Sequence, residues 1–372
     1  MTLPADVHPM KWAEVSLATL RRNAAAFGAA MGEGVELMAM VKAGAYGHGG
    51  PPAARALLDG GATWLGVALP GEALELHRAG IAAPILVVGW SPPDTHQALV
   101  EAGIDVTVAD PAGVPAVVAA ARRAGQRARV QLKVETGMHR QGIDPGDLPG
   151  VLAAAAAAAQ HLHITGVFTH MADADGDDPG HTERQHDRFL PAVAAVAELA
   201  SDALVHCANS AAALRFPHMR HHLVRPGIAL YGYLPPNCPP LAVAPAMSVR
   251  ALVTHVQTVP AGESVGYNCT WTAARDTRVA TVAAGYADGV HRAQSGRGSV
   301  VLAGRRCPIL GRVSMDQVSV DVSAAEGVAP GDVATLVGPE LPAGEVGAVE
   351  GTVSYEVLCA VSARVPRRFL DP

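Results

Sequence analysis

From about residue 35 to residue 224 the chain alternates short continuous apolar runs with longer alanine-rich stretches of helical spacing. The runs at 37–41, 64–68, 85–88, 106–108, 130–134, 164–169, 204–207 and 223–224 are apolar on both faces, as strands covered on both sides are. Between them the spacing predicts helices at 52–58, 71–78, 95–102, 113–123, 148–160, 183–199 and 211–216. Strand–helix alternation calls for parallel pairing through right-handed crossovers, and eight such strands predict a TIM-type (β/α)8 barrel. An open doubly wound sheet is the competing architecture. It would carry a glycine-rich dinucleotide loop after its first strand, and none is present.

The texture changes at Pro235-Pro236-Asn237-Cys238-Pro239-Pro240. Beyond it helical periodicity fades, and short β-branched runs follow at 249–256, 277–283, 299–302, 318–322, 333–337 and 350–353. The reading is an α/β chain with a barrel over residues 1–238 and a mainly-β domain over residues 239–372.

Composition narrows the function classes. A net charge of −6 and the lack of any basic cluster with interleaved aromatics argue against nucleic acid as a partner. No apolar run reaches the ~18 residues of a membrane span, and the alanine tract at 153–159 is too short. The first twelve residues carry no apolar signal core, so a cytoplasmic protein is expected. Five widely spaced cysteines form no Cys-x-x-Cys pair, which points to a reducing compartment and buried thiols. His218, His221 and His222 lie close together among sixteen histidines, but no ligand spacing accompanies them and no metal is assigned.

Chemistry collects where the barrel strands end, the face that carries function in this architecture. Lys42 follows the first strand, Gly89-Trp90 the third, and Lys133 ends the fifth with Arg140 seven residues on. His170 ends the sixth, Asn209-Ser210 the seventh, and Arg225-Pro226-Gly227-Ile228 the eighth. The loop after the eighth strand is a common phosphate site, and Gly227 admits close backbone approach. A lysine nucleophile beside a phosphate cradle points to pyridoxal 5′-phosphate.

These residues fall into a full-length set of motifs. Val41-Lys42-Ala43-Gly44-Ala45-Tyr46-Gly47-His48-Gly49 resembles the cofactor-lysine segment of the alanine racemases, fold-type III enzymes that use pyridoxal phosphate. The resemblance continues through Lys133 to Met138, His206 to Ser210, Val224 to Gly232, Gly285-Tyr286-Ala287-Asp288-Gly289, Gly311 to Gln317 and Ser354-Tyr355-Glu356.

The resemblance implies interconversion of L- and D-alanine, supplying D-alanine, by two bases. Lys42 holds the cofactor and works on one face of the substrate; Tyr286 works on the other. Arg225 faces the pyridine nitrogen, and His206 orients it. Tyr46, Trp90, His170, Asn209, Ser210, Gly227, Ile228 and Tyr355 surround the cofactor. Arg140, Met315 and Asp316 meet the substrate carboxylate, and Lys133 matches a lysine that is carbamylated in many members. In the family Tyr286 and Met315 come from the partner subunit, which implies a homodimer with composite sites.

The chain departs from the family pattern at Gly44, Asp173, His139, Gly266, Asn268 and Val290-His291. These positions flank the expected site. They leave a racemase of another small amino acid, such as serine, as the alternative; a cofactor-binding protein without racemase activity is a further one, and Arg225 argues against a decarboxylase of the same two-domain type.

Overall fold

The computed structural model describes residues 9–371, which form two units. One unit contains residues 20–45 and 50–244 and is the barrel. Its strands are β1 (Glu36–Met40), β2 (Trp64–Val67), β3 (Ile85–Val87), β4 (Asp105–Val108), β5 (Ala128–Lys133), β6 (Leu162–Phe168), β7 (Leu204–His206) and β8 (Leu223–Val224). All eight expected strands are present. Each pairs in parallel with its sequence neighbour from β1 to β7, and β8 pairs with β1. Backbone bonds from His222 N to Val205 O (3.2 Å) and from Arg225 N to Ala208 O (2.9 Å) join the last two strands.

The outer layer follows from sequence spacing. Helix Gly113–Ala124 buries Val114, Val117, Val118 and Ala121, while Arg122 and Arg123 face water. Asp110 accepts a bond from Gly113 N at its start, and Gly125 ends it in the left-handed region. The barrel interior is less ordinary, because buried Asp105, Gln131, Thr165 and His206 stand among the aliphatic side chains. Gly166 makes room for that layer: a Cβ there would press on the Gln131 amide.

The second unit contains residues 9–19, 46–49 and 245–371. Beyond residue 245 its longer strands are β9 (Met247–Val259), β10 (Thr277–Val282), β11 (Ser299–Leu302), β12 (Arg305–Leu310), β13 (Val318–Asp321), β14 (Val333–Val337) and β15 (Arg367–Leu370). The order β10-β13-β12-β11-β14-β9 is closed by β9 pairing with β10. A register shift between Val253 and His255 bends long β9, so one half serves β14 and the other β10.

The unit boundaries differ from the expected break at residue 238. Strand Lys11–Ser16 pairs antiparallel with β9 and parallel with β15, so the described N-terminal segment belongs to the β unit. Residues 46–49 cluster there too, with Arg367 Nε bonded to Gly47 O at 2.9 Å. The barrel unit runs on to Ala244. Residues 350–353 are not a strand: helix Ala343–Glu350 stops at left-handed Gly351, and helix Ser354–Cys359 follows at once. Among the described residues no helix is long and apolar enough to cross a membrane.

Candidate active site

The end of β1 is tightly fixed. Met40 N bonds Pro226 O (3.0 Å), Val41 N bonds Gly66 O (2.8 Å), and the buried Tyr231 hydroxyl donates to Met40 O (2.8 Å). Lys42 follows directly. The next four residues, Ala43, Gly44, Ala45 and Tyr46, take φ of 53°, 59°, 56° and 52°. Left-handed backbone costs roughly 1–2 kcal/mol per residue with a Cβ, so Gly44 removes one such cost. Glu72 supports this turn: Oε1 accepts from Ala43 N at 2.6 Å, while Oε2 accepts from Ala68 N and Leu69 N. Sequence reasoning missed Glu72. Its only signal was its place in the first turn of a helix opening with Pro70.

Arg225 is the centre of the barrel end. It is buried, and Nη1 bonds His206 Nδ1 at 2.8 Å. Nη2 donates to Thr169 O (2.8 Å) and bonds His170 Nδ1 (3.1 Å). A guanidinium has only donors, so both imidazoles present lone pairs at Nδ1 and carry their proton on Nε2. His206 Nε2 then meets Gln131 Oε1 at 2.8 Å, and Gln131 Nε2 donates to Asp105 Oδ1 at 3.2 Å. Asp105 is fully buried, accepts from Thr165 Oγ1, and pairs with Arg129 Nε at 2.7 Å. The logic runs one way. A carboxylate accepts only, so Gln131 turns its amide nitrogen to Asp105 and its oxygen to His206, which sets the His206 tautomer.

Phe168 underlies this cluster. Its ring stacks on His206 at 4.9 Å and lies 5.3 Å from the Arg225 guanidinium carbon and 5.9 Å from Lys133 Nζ. The charges are mostly of one sign. Burial, then Arg225, Arg140, Lys133 and Lys42 in turn, hold His170 well below the usual histidine range, so it is neutral. Burial and Arg225 do the same to His206. Burial, Arg140 and Arg225 bring Lys133 down to about 8, with Glu135 acting against them. Burial brings Arg225 to about 10, which leaves it cationic at neutral pH.

The structure thus brings Lys42, Lys133, Arg140, His170, His206 and Arg225 into one electrostatic neighbourhood. Arg140 is exposed at the end of a loop folded by Glu135, which accepts from Gly137 N (2.5 Å) and Met138 N (2.7 Å). His139, one of the departures from the family pattern, takes φ +51°, in the left-handed region that glycine suits. Ser210 Oγ accepts from Gly227 N at 3.0 Å, joining the loops after β7 and β8. Asn209 Oδ1 caps the short helix by accepting from Ala212 N. Ile228 opens a 3-10 turn, whose first N–H groups lack partners within the turn. Trp90 is 54% exposed after β3, its backbone N bonded to Gln141 Oε1 at 3.4 Å.

In the β unit, the Tyr46 and Tyr355 rings lie 6.2 Å apart. Burial, then Tyr355 and Cys359, raise the Tyr46 hydroxyl well above the usual tyrosine range, so it stays a donor. Tyr286, Met315 and Asp316 share another surface of the same unit, a depression also lined by Tyr267 and Arg292. Asp288 builds the Tyr286 turn: its carboxylate accepts from Gly285 N (3.0 Å) and Lys11 Nζ (2.6 Å). Tyr286 N bonds Ser314 O and Ala287 N bonds Met315 O, both at 3.0 Å. Gly285 packs its α-carbon against the Ser314 and Met315 backbone, where a Cβ would collide. Arg364 pairs with Asp316 at 2.7 Å.

Comparison with known proteins agrees with the motifs. Residues 15–235 match the family model of the alanine racemase N-terminal domain, and residues 246–369 match that of the C-terminal domain. The alanine racemase of Desulforamulus reducens is 41% identical over 96% of this chain and 98% of its own length. The crystal structure of alanine racemase from a D-cycloserine-producing Streptomyces lavendulae superposes with a TM-score of 0.92, at 39% identity and 98% coverage of both chains. The Bacillus anthracis alanine racemase with bound L-Ala-P also gives 0.92, at 36% identity, covering 98% of this chain and 96% of that one. Matched over nearly all of its length and carrying the motifs in order, the chain belongs to the alanine racemase family.

Proposed function

We propose that Lys42 and Tyr286 move protons on and off opposite faces of the substrate α-carbon, with pyridoxal 5′-phosphate held by the barrel residues. The chain is an amino-acid isomerase, and its reaction is the interconversion of L- and D-alanine. The donor set suits the cofactor. Arg225 has further N–H groups to offer a ring nitrogen. Ser210 Oγ–H and the Ile228 N–H can donate to phosphate oxygens, and the family resemblance adds the Tyr46 and Tyr355 hydroxyls. The surplus of cations around His170 complements a phosphate and a substrate carboxylate. When bound, pyridoxal phosphate supplies the electron sink that makes the α-hydrogen of an amino acid acidic.

The chain's own groups do the rest. Arg225 would donate a hydrogen bond to the ring nitrogen of a bound cofactor without surrendering its proton, which would favour proton exchange over reactions that need a stronger sink. Neutral His170 keeps a proton on Nε2, directed away from Arg225, with which to orient a phenol. Arg140 anchors the carboxylate. Lys133, partly a free amine near pH 8, adds carbon dioxide at Nζ and releases one proton; the resulting anion draws in Arg140 rather than repelling it.

The observation that carries this reading is the buried Arg225, clamped between two neutral imidazoles beside Lys42. Tyr286 is 43% exposed on the β unit, beside exposed Tyr267 and Met315, which fits a surface covered by a second copy. The assembly is then a homodimer with composite sites. In Tyr286→Phe, α-hydrogen exchange with deuterium should survive from one enantiomer only, with racemisation nearly lost. Undiminished exchange from both enantiomers would overturn the two-base assignment. Alanine should exceed serine in kcat/KM, and 13C-bicarbonate should give a carbamate signal absent from Lys133→Gln.

A further inference from the structure

A group of metal-ligating side chains lies outside the site described above. Helix Gly180–Leu199 places Glu183 and His186 one turn apart on the same face. The 3-10 turn Pro217–Met219 adds His218, the next loop adds His221, and Cys207 follows the end of β7. His186 Nε2 and His221 Nε2 are 3.0 Å apart. The ligand atoms of His186, Cys207 and His221 all lie within 4.8 Å of one another. His186 and Cys207 are buried, with His221 partly so. His222 is not part of the group, because its Nδ1 accepts from Val205 N at 3.0 Å.

We propose that Cys207 Sγ, His186 Nε2 and His221 Nε2 bind one borderline divalent transition-metal ion of the zinc class. Zinc–sulfur bonds of ~2.3 Å and zinc–nitrogen bonds of ~2.0 Å place tetrahedral ligands roughly 3.3–3.6 Å apart. The observed Nε2 pair is slightly closer than that, and the 4.8 Å bound on the trio lets small side-chain rotations reach it. One thiolate with two imidazoles selects zinc, cobalt or copper over magnesium or calcium. Glu183, His186 and His218 form a second, more open trio that shares His186. The His186 Nε2 that faces His221 Nε2 can ligate one ion only. Glu183 and His218, already paired at 3.1 Å, lie on the solvent side as an approach.

Binding balances as follows. The Cys207 thiol, which otherwise donates to Met219 O at 3.2 Å, loses its proton to solvent as the sulfur–metal bond forms. The imidazole that carries its proton on Nε2 in the close pair shifts it to Nδ1. One proton is released per ion. The site adjoins the machinery of Arg225: His206 precedes Cys207, and Cys207 O accepts from Arg225 Nη2 at 3.3 Å. The proposal does not depend on the racemase reading.

The test uses untagged holoenzyme, stripped with a chelator and titrated with Co2+. One equivalent per chain should give tetrahedral d–d absorption together with thiolate-to-cobalt charge transfer. Cys207→Ser should remove the charge-transfer band, His186→Gln should weaken binding at least tenfold, and Glu183→Gln should change it less than threefold. Circular dichroism and cofactor absorbance confirm that each variant folds. The proposal is overturned if saturating Co2+ gives no thiolate band, or if Cys207→Ser keeps it. It is also overturned if Glu183→Gln abolishes binding that Cys207→Ser leaves intact, which moves the ion to the outer trio.

Discussion

Two buried carboxylates organise two clusters of proposed site residues, one in each unit, and they end in different places. Asp105 sits inside the barrel, and its hydrogen bonds run through Gln131 and His206 to a guanidinium that is itself buried. Asp288 sits inside the β unit, and its bonds to Lys11 and Gly285 N fix a turn whose tyrosine stands 43% exposed. The barrel half is internally complete, with each polar group set by the one behind it. The β half fixes a backbone and leaves Tyr286, the proposed second base, at a surface. The contrast teaches that one fold unit tunes a cation while the other presents a tyrosine at its surface.

The largest effect tests whether the halves come from different chains. Lys42→Ala and Tyr286→Phe should each lower kcat by a factor of 10² or more. Mixed and allowed to exchange subunits, the two inactive variants should recover about a quarter of wild-type activity, because half the dimers carry one intact site. A mixture no more active than its parents would show that both groups act within one chain.

The carboxylates separate next. Asp105→Asn lets Gln131 reverse its amide, which swaps the His206 tautomer and sets a donor against Arg225. A loss in kcat of about 10–100-fold is expected, with changed His206 15N shifts even without cofactor. Asp105→Asn with Gln131→Glu restores an acceptor for His206 Nε2 and should recover most of the loss. Asp288→Asn should lower kcat by about tenfold or less and leave those shifts unmoved. If both single variants move the His206 shifts alike, the distinction between the halves fails.

Acid should expose the barrel half. His170 and His206 titrate below their unfolded value of ~6.5. Below that pH the unfolded chain binds protons that the folded chain refuses. Their contribution is therefore full above pH ~6.5 and falls by about 1.4 kcal/mol per pH unit for each group as pH drops further. Urea midpoints measured from pH 7 to pH 5 should decline, with buried His186 and partly buried His221 adding in the same sense. A flat profile contradicts the neutral imidazoles.

The smallest effects concern backbone. Gly44→Ala should cost about 1–2 kcal/mol at φ +59°, and Gly44→Asn less, since asparagine tolerates this region and open space surrounds the position. His139→Gly should shift stability by no more than about 0.5 kcal/mol, because relief at φ +51° is offset by a looser unfolded chain. Thermal midpoints decide both.

Much of the barrel was legible because its strands are continuous apolar runs between helices of regular period. The β unit was read less well. Strand Lys11–Ser16 lies far in sequence from β9, to which it pairs, and residues 350–353 look extended only until Gly351 is seen to end a helix. Glu72, Phe168, Gln131 and Asp105 were missed as functional residues because nothing local marks them. Each acts through a partner on another strand or loop.

The sequence by itself determined the alternation that makes a barrel, the gathering of polar residues at its strand ends, and motifs specific enough to name the family. Tertiary structure decided which tautomers His170 and His206 hold, which charges lower Lys133, and that His186, Cys207 and His221 meet. The physical reason is range. Propensity and periodicity act over a few residues and are written along the chain. Hydrogen-bond direction and desolvation depend on atoms a few ångströms apart in space and tens of residues apart in sequence.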